Sequence, residues 1–417
     1  MRILHVSDWH LGATLGRIRR REDHTAVIDE MVAIADEHRP DLVIHTGDLF
    51  DHARPGADDM TVAIDALRRL AVHGPVVVLA GNHDSPALFE VFERLLHLTT
   101  GDSHIRFIPR ARPPADGGIL DFPVGDQRIR LAPLPFVHPN QLLDVFAIDE
   151  TKWMADYTGQ VRQVEQALGA GLLDGYDGAR DVLLFAAHLH VGGASFSGSE
   201  RPLHITEQYA TETDHLPRVS YAAFGHIHKP QRIPGAVPGE YAGSAIPINF
   251  GEMKETKRVL VVEVEPGRPA KVVPVPLSGG RKLIRLEGTL PELAKHDVGD
   301  AIIELTVHTD ERLVGLDDQV KRLFPDAAVF DLRERVAGIE PAIVEPPSKD
   351  DVEPPLRELF EIYLRNVATK SEVKQSMSLF DRLFDAATMD IVPELAEEDL
   401  LVLPDLPAAL SRRGADA

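Results

Sequence analysis

Asp8 and His10 flank a tryptophan in the stretch SDWHLG, residues 7–12, directly after the first apolar segment of the chain. If this stretch is a strand, alternate side chains point to opposite faces, so we expect Asp8 and His10 to share a face with Trp9 turned away. A carboxylate and an imidazole aimed at one point form either half of a metal site or a pair that satisfies each other. The motif alone leaves both interpretations open.

The rest of the chain repeats this arrangement, because apolar runs of strand length each end in a histidine, an aspartate or an asparagine. The runs span 2–7, 41–46, 75–80, 181–187 and 218–224, and they lead into Asp8, Asp48, Asn82, His188, and His226 with His228. Helical periodicity at 23–38, 58–71 and 86–97 predicts helices between the first strands. In sheets of alternating strands and helices, ligands bind beyond the carboxyl ends of the strands. We therefore expect these polar side chains to converge on a metal.

Length and composition narrow the class of protein. A chain of 417 residues is long enough for two or three domains. It has no cysteine, so disulfides and thiolate ligands are excluded and only nitrogen and oxygen donors can hold a metal. The first residues lack a secretory signal, and no apolar run approaches the roughly 18 residues that cross a bilayer. These features predict a cytoplasmic protein without a membrane segment.

The charge balance restricts how this chain could contact nucleic acid. The 44 Lys and Arg residues are outnumbered by 66 Asp and Glu residues, giving a net charge of -22. Such a balance excludes a surface that binds a polyanion along its whole length. A local basic cluster follows the first motif and comprises Arg17, Arg19, Arg20 and Arg21. We expect any DNA contact to use this cluster, with His52 as a further candidate.

The ordered motifs DWH, GDLFD, GNHDS, a later single histidine and GHIHKP resemble the calcineurin-like metallophosphoesterase superfamily. Within it, SDWHLG, GDLFDHARP, GNHDS and YAGSAIPINFGE are similar to the SbcD family, the nuclease subunits of SbcCD-type complexes. These motifs cover roughly residues 1–255 of the chain. The resemblance implies an α/β fold in which a β-sandwich is flanked by helices, with a small α+β capping domain and a C-terminal helical segment that binds a partner.

The resemblance also implies a site with two metal ions. One ion would be held by Asp8, His10, Asp48 and His228, and the other by Asp48, Asn82, His188 and His226, with Asp48 as the bridge. It implies two Mn²⁺, although the same donors accept Mg²⁺, Fe or Zn. His83 would stabilise the transition state or protonate the leaving oxygen, and Asp84 would orient His83 or a neighbour.

One position departs from the pattern of many relatives, which have a second catalytic histidine where this chain has Asp51. His52 follows Asp51 here, so either the histidine is dispensed with or His52 replaces it. The chain has no GxxxxGK[ST] motif, so we expect it to bind no nucleotide and any dependence on ATP to arise in a partner.

The expected domain organisation follows from the motifs and from composition. Residues 1–280 would form the nuclease domain, 281–338 the capping domain that positions DNA, 339–355 a proline-rich acidic linker, and 391–417 an acidic, flexible tail. Residues 356–390 carry apolar side chains at helical spacing. We expect these helices to bind an SbcC-like ATPase with a coiled coil, although they could instead fold back onto their own chain.

The expected function is that of a metal-dependent nuclease subunit that acts on double-stranded DNA ends as an exonuclease and on single strands and hairpins as an endonuclease. Such an activity would serve DNA repair, recombination and replication. By resemblance, helices 58–71 and 86–97 would form a homodimer. Two alternatives remain open: a stand-alone phosphomonoesterase or cyclic-nucleotide phosphodiesterase, and a non-catalytic scaffold of the same fold.

Overall fold

The computed structural model describes residues 1–100, 104–137, 157–200, 210–212, 216–337, 356–367 and 370–388. The chain divides into two compact units. The first unit comprises Met1–Leu286, Asp297–Leu305 and Val320–Asp331, and the second comprises Glu287–His296, Thr306–Gln319 and Leu332–Ala417. Among the described residues, no helix is both long and apolar enough to cross a membrane.

The first unit contains two six-stranded sheets. The strands of the first sheet are β1 (Arg2–Val6), β4 (Leu42–His45), β5 (Val76–Leu79), β6 (Ile105–Ile108), β15 (Arg258–Glu263) and β16 (Lys271–Pro276). Their order is β16-β15-β1-β4-β5-β6. The four strands from β1 to β6 in this order are parallel, and β15 and β16 extend the sheet in antiparallel fashion.

The second sheet has its own parallel centre. Its strands are β7 (Leu120–Val124), β8 (Gln127–Leu134), β9 (Asp181–His188), β12 (Tyr221–Gly225), β13 (Gln231–Arg232) and β14 (Gly239–Tyr241). They lie in the order β13-β14-β12-β9-β8-β7, and the four from β14 to β8 are parallel. Two short ribbons pair β2 (Thr14–Leu15) with β3 (Ile18–Arg19) and β10 (His190–Val191) with β11 (Ala210–Thr211).

The apolar runs of the sequence are continuous because the parallel strands are buried on both faces. Along β1, Ile3 packs between the two sheets, whereas Leu4 packs beneath the helices on the outer face. The helices on the outer face of the first sheet are α1 (Arg21–His38), α2 (Ala57–Leu70) and α3 (Pro86–Thr100). Helix α4 (Tyr157–Leu173) covers the second sheet. This β-sandwich flanked by helices confirms the predicted fold.

The remaining described elements lie toward the C-terminus. Strands β17 (Leu283–Gly288), β18 (Ile302–Thr309) and β19 (Ala328–Val336) form a three-stranded sheet, accompanied by α5 (Leu290–Leu293) and α6 (Leu316–Leu323). Helices α7 (Leu356–Val367) and α8 (Lys370–Thr388) pack against each other. Their contact stacks the rings of Phe360 and Phe380 at 4.6 Å and pairs Arg357 with Asp381 at 2.7 Å. The predicted linker 339–355 and the predicted tail 391–417 lie outside the described residues.

One buried acid couples the stability of the first unit to pH. Glu165 on α4 is fully buried, and both of its carboxylate oxygens lie 3.0 Å from the Thr211 hydroxyl. Burial raises the pKa of Glu165 to about 8, although the Thr211 hydrogen bond opposes this shift. The folded protein therefore holds a proton that the unfolded chain loses at a pH of about 4.3.

We predict that the unfolding free energy falls as pH rises from 5 to 8, because the folded state binds more protons than the unfolded state in that window. Glu165→Gln cannot ionise, so its unfolding free energy should gain on that of the parent by on the order of 3 kcal/mol across the window. Urea unfolding at several pH values measures this difference. Parallel pH profiles for the parent and the variant would rule the coupling out.

Candidate metal centre

The polar side chains predicted to converge follow the carboxyl ends of strands in both sheets. Asp8 follows β1, Asp48 follows β4, and Asn82 follows β5. In the second sheet, His188 is the last residue of β9, and His226 and His228 follow β12. Because neighbouring strands are parallel within each sheet, these ends lie at one edge of that sheet. The ends of five strands thereby supply the residues of one site.

The expected strand geometry at the first motif is wrong, although its two side chains do meet. Strand β1 ends at Val6, and Asp8 and His10 have positive φ values of 49° and 48°. Hydrogen bonds of 3.0 Å from the Asp8 and His10 amides to the carbonyls of Gly47 and Asp48 hold this loop. Left-handed backbone at residues other than glycine is costly and concentrates at functional sites. The convergence therefore comes from a constrained loop.

The ligand-type atoms form two groups that share Asp48. Asp8, His10, Asp48 and His228 form the first group, and Asp48, His188 and His226 form the second. Within each group one donor atom per residue lies within 4.8 Å of the others. All of these side chains are buried.

Asn82 completes the second group through its amide oxygen. Its Oδ1 atom lies 3.0 Å from Nε2 of His188 and 2.8 Å from Nδ1 of His226. The structure thus brings together all seven residues that the sequence analysis named as metal ligands. Asp48 is the residue common to both groups, which is the position that a bridging carboxylate would occupy.

The chemistry of these donors fits divalent cations. Burial lowers the pKa of His188, but Asp48 and Asp8 outweigh this effect and raise the pKa to about 9. Burial likewise opposes the shift at His10, where the hydrogen bond to Asp51 and the charge of Asp48 raise the pKa to about 9. The carboxylates therefore draw positive charge into a buried site, and a divalent cation supplies such charge. Cations bind neutral imidazoles, so loading the site would release protons.

His83 and Asp84 lie beside Asp48 in the loop after β5. The His83 amide donates to Asp48 Oδ1 at 2.8 Å, and His83 Nδ1 donates to the Asp51 carbonyl at 2.7 Å. The ring of His83 meets that of His10 edge to face at 4.8 Å. His83 thus borders the two groups without belonging to either of them.

Asp84 holds backbone rather than a catalytic side chain in its observed hydrogen bonds. Its carboxylate accepts from the amides of Gly81 at 2.8 Å, Phe50 at 3.0 Å and Leu49 at 3.1 Å. Burial, with a further contribution from Asp48, raises the pKa of Asp84 to about 7. These bonds tie the loop that carries Asn82 to the loop that carries Asp48.

Asp51 occupies the position where many relatives would place the second histidine. Asp51 Oδ1 lies 3.2 Å from His10 Nδ1, and Asp51 Oδ2 lies 3.1 Å from His52 Nε2. The His52 side chain is 73% exposed, whereas that of Asp51 is 19% exposed. Asp51 therefore supports His10 directly, and His52 faces solvent on the outer side of Asp51.

The basic cluster after the first motif does not act as one surface. Arg17 and Arg19 are exposed near the β2–β3 ribbon. Arg21 is exposed and pairs with Asp58 at 2.8 Å. Arg20 is only 2% exposed, and its guanidinium is bound to Asp23 at 2.5 Å and to the Pro247 carbonyl at 2.9 Å. The predicted DNA contact of Arg20 is wrong on this geometry, because its charge is committed inside the fold.

The sequence analysis missed a buried polar network behind His228. Glu252, Glu200 and Lys257 are all buried there, together with the hydroxyl of Ser199. Glu252 is the last residue of the motif YAGSAIPINFGE, but its acidic side chain was given no role. The available signal was an acid and a lysine five positions apart, next to strand β15 and after an apolar stretch.

Comparison with known proteins places these observations in a family context. Residues 1–230 match the family described as calcineurin-like phosphoesterase. The chain is 30% identical over 291 residues to the SbcD subunit of nuclease SbcCD from Bacillus subtilis, covering 68% of this chain and 72% of that protein. It is 29% identical over 349 residues to the SbcD subunit of nuclease SbcCD from Escherichia coli, covering 78% of this chain and 82% of that protein.

Solved structures also resemble this chain at a greater distance. A dimetal phosphatase from Danio rerio superposes with a TM-score of 0.39 at 14% sequence identity, covering 67% of this chain and 99% of that one.

Proposed function

The chain belongs to the calcineurin-like phosphoesterase family and, within it, to the SbcD nuclease subunits, and on that premise we propose a two-metal mechanism for it. The proposed activity is cleavage of DNA phosphodiester bonds, as an exonuclease on double-stranded ends and as an endonuclease on single strands and hairpins. We propose two Mn²⁺ as its cofactors, and DNA repair, recombination and replication as its setting. One observation carries the proposal: two groups of buried donors share Asp48.

Each residue of the centre then has a role. Asp8, His10, Asp48 and His228 would hold one ion, and Asp48, Asn82, His188 and His226 would hold the other. When bound, such ions lower the pKa of a water molecule and offset the charge of a phosphodiester. Asp48 sets their separation, since each oxygen of its carboxylate can face one ion. Asp84 keeps the loops of Asp48 and Asn82 at a fixed distance through its three amide hydrogen bonds.

His83 is proposed to act on the substrate. Its Nδ1–H is engaged by the Asp51 carbonyl, so the proton that an imidazolium could give to a leaving sugar oxygen is the one on Nε2. A protonated ring also stabilises negative charge that develops on the phosphate. Its position next to both groups supports this role, because a general acid must reach the atoms that react.

DNA contact is proposed at the exposed members of the basic cluster. Arg17, Arg19 and Arg21 remain available to phosphates, whereas Arg20 is withdrawn from the proposal. His52, at 73% exposure, stays a candidate contact. A few local cations beside the centre are compatible with a net charge of -22 over the whole chain.

A homodimer is proposed through α3 and the neighbouring α2. Several apolar residues that suggested this interface pack into their own core, among them Leu67, Phe89 and Phe92. Val91 and Leu95 remain 48% and 52% exposed on α3. These side chains leave an apolar strip for a second copy, as the family resemblance implies.

The partner proposed for α7 and α8 is an SbcC-like ATPase with a coiled coil. The two helices bury Leu364, Met377 and Leu379, so part of their apolar surface is used by the hairpin itself. Leu383 and Phe384 at the end of α8 are 37% and 45% exposed. An exposed aromatic and a leucine on adjacent positions are suited to a helix-on-helix contact. Both SbcCD relatives carry a complex in their names, which supports a partner for this chain as well.

The direct test of the proposed activity is digestion of end-labelled duplex and hairpin DNA with Mn²⁺, beside a small phosphomonoester. Mn²⁺-dependent cutting of DNA, with little turnover of the phosphomonoester, is the expected result. Preferential hydrolysis of the phosphomonoester would favour a stand-alone phosphatase, and absence of any hydrolysis would favour a scaffold.

We predict that His83→Ala slows DNA cleavage by roughly 10²–10⁴-fold while two ions stay bound, because His83 acts on substrate and holds no metal. Cleavage rates and metal content of the purified variant check both parts. His73→Ala is the matched control, since His73 pairs with Asp36 at 2.7 Å away from the centre. Loss of an ion from His83→Ala would contradict the assigned role.

We predict that the double variant Leu383→Asp with Phe384→Asp loses co-purification with the ATPase partner, because it places charge on the exposed apolar end of α8. The same variant should keep Mn²⁺-dependent cleavage of single strands and lose ATP-stimulated cleavage of duplex DNA. Ser378→Asp adds a charge at an exposed polar position of the same helix and should behave like the parent. Tight partner binding by the double variant would refute this interface.

A further inference from the structure

Glu252 has no role in the proposed reaction, yet its carboxylate lies directly behind His228. It is fully buried, and its Oε1 atom lies 3.3 Å from Nδ1 of His228. Its Oε2 atom accepts from Lys257 Nζ at 2.6 Å, from the Ser244 hydroxyl at 3.0 Å and from the Ile248 amide at 3.1 Å. A carboxylate with this many donors has a fixed orientation.

A second set of contacts holds His228 from the neighbouring loop. The Ser199 hydroxyl lies 2.6 Å from Nδ1 of His228 and donates to the Glu252 carboxylate. The Glu200 carboxylate accepts from the His228 amide at 3.1 Å and from the Ser197 amide at 3.0 Å. Ring and backbone of His228 are therefore both anchored by acids.

Lys257 closes the network and balances its charge. Its buried ammonium donates to Glu252 at 2.6 Å, to Glu255 at 2.7 Å and to the His228 carbonyl at 3.2 Å. A lysine has three N–H donors, and these three acceptors use all of them. The charge that faces Glu252 is thus fully engaged, which lets the carboxylate stay ionised at a buried position.

The opposite edge of the His228 ring faces the first donor group. His228 Nε2 lies 3.0 Å from His10 Nε2, in the group that includes Asp8 and Asp48. His10 is oriented in the same way, since Asp51 Oδ1 lies 3.2 Å from its Nδ1. Both imidazoles of this group therefore have a carboxylate behind Nδ1 and present Nε2 to the group.

We propose that Glu252 is a positioning residue for the first metal ion, an inference that rests on the proposed metal centre. Glu252, with Ser199 as a link, accepts the Nδ1 proton of His228, which fixes the tautomer that presents a lone pair on Nε2. An acceptor behind the ring also makes Nε2 a stronger ligand, and loss of such an acceptor typically costs about 10–100-fold in metal affinity. Lys257 holds the carboxylate in place.

Mn²⁺ titration of the full chain, followed by electron paramagnetic resonance, tests this assignment. The parent should bind two Mn²⁺ with an exchange-coupled spectrum. Glu252→Gln keeps the shape of the side chain but removes its charge, so one of the two ions should bind about 10–100-fold more weakly. At limiting Mn²⁺ the variant should show the six-line signal of an isolated ion. Glu255→Gln, which also faces Lys257 but not His228, should titrate like the parent.

The outcomes separate positioning from mere charge balance. If Glu252 only neutralises Lys257, the double variant Glu252→Gln with Lys257→Met should restore the affinity of the parent, and that result would overturn the proposal. Persistent weak binding of one ion in the double variant supports it. Ser199→Ala provides a milder change should Glu252→Gln fail to fold, and an unaltered titration there would also count against the link.

Failure of the metal centre itself looks different. A parent chain that binds no Mn²⁺ would overturn the proposed function, whereas a parent that binds two ions beside a Glu252→Gln variant of equal affinity would overturn only the role of Glu252.

Discussion

The structure depends on the burial of one carboxylate, that of Asp48, between two groups of nitrogen and oxygen donors. A buried anion requires positive charge nearby, and the surrounding imidazoles concentrate around it. The backbone must approach closely for this to happen. A side chain at Gly81 would collide with Asp48, and one at Gly47, where φ is 104°, would collide with His188. These glycines precede Asn82 and Asp48 in the motifs because no larger residue fits there.

Around that centre, the protein uses carboxylates in a second way, as supports behind ligands. Asp51 lies behind His10, Glu252 lies behind His228, and Asp84 ties together the backbone of two loops. The abundance of acidic residues in the chain is therefore partly built into the site and is no obstacle to a nucleic-acid substrate. The exposed arginines beside the first motif supply cations only where a phosphate backbone would pass.

Much of the fold and of the centre could be predicted from the sequence, because buried parallel strands leave continuous apolar runs and their ends carry the polar residues. The strands predicted at 41–46 and 75–80 correspond to β4 and β5 within a residue at each end. Local backbone was not predictable, since nothing in the spacing of Asp8 and His10 reveals a positive φ. The burial of Arg20 and the network of Glu252 depend on residues distant in sequence, and an alternation pattern does not contain that information.

The central claim, that Asp48 bridges two metal ions, is tested most directly by counting the ions bound per chain in the parent and in Asp48→Asn. An asparagine keeps the size of the side chain but offers one neutral oxygen in place of an anionic bridge. Elemental analysis after loading with Mn²⁺ should find two ions per chain in the parent. Asp48→Asn should bind fewer, without coupled ions and without cleavage of hairpin DNA. A variant that retains two coupled ions and cuts DNA at the rate of the parent would contradict the account.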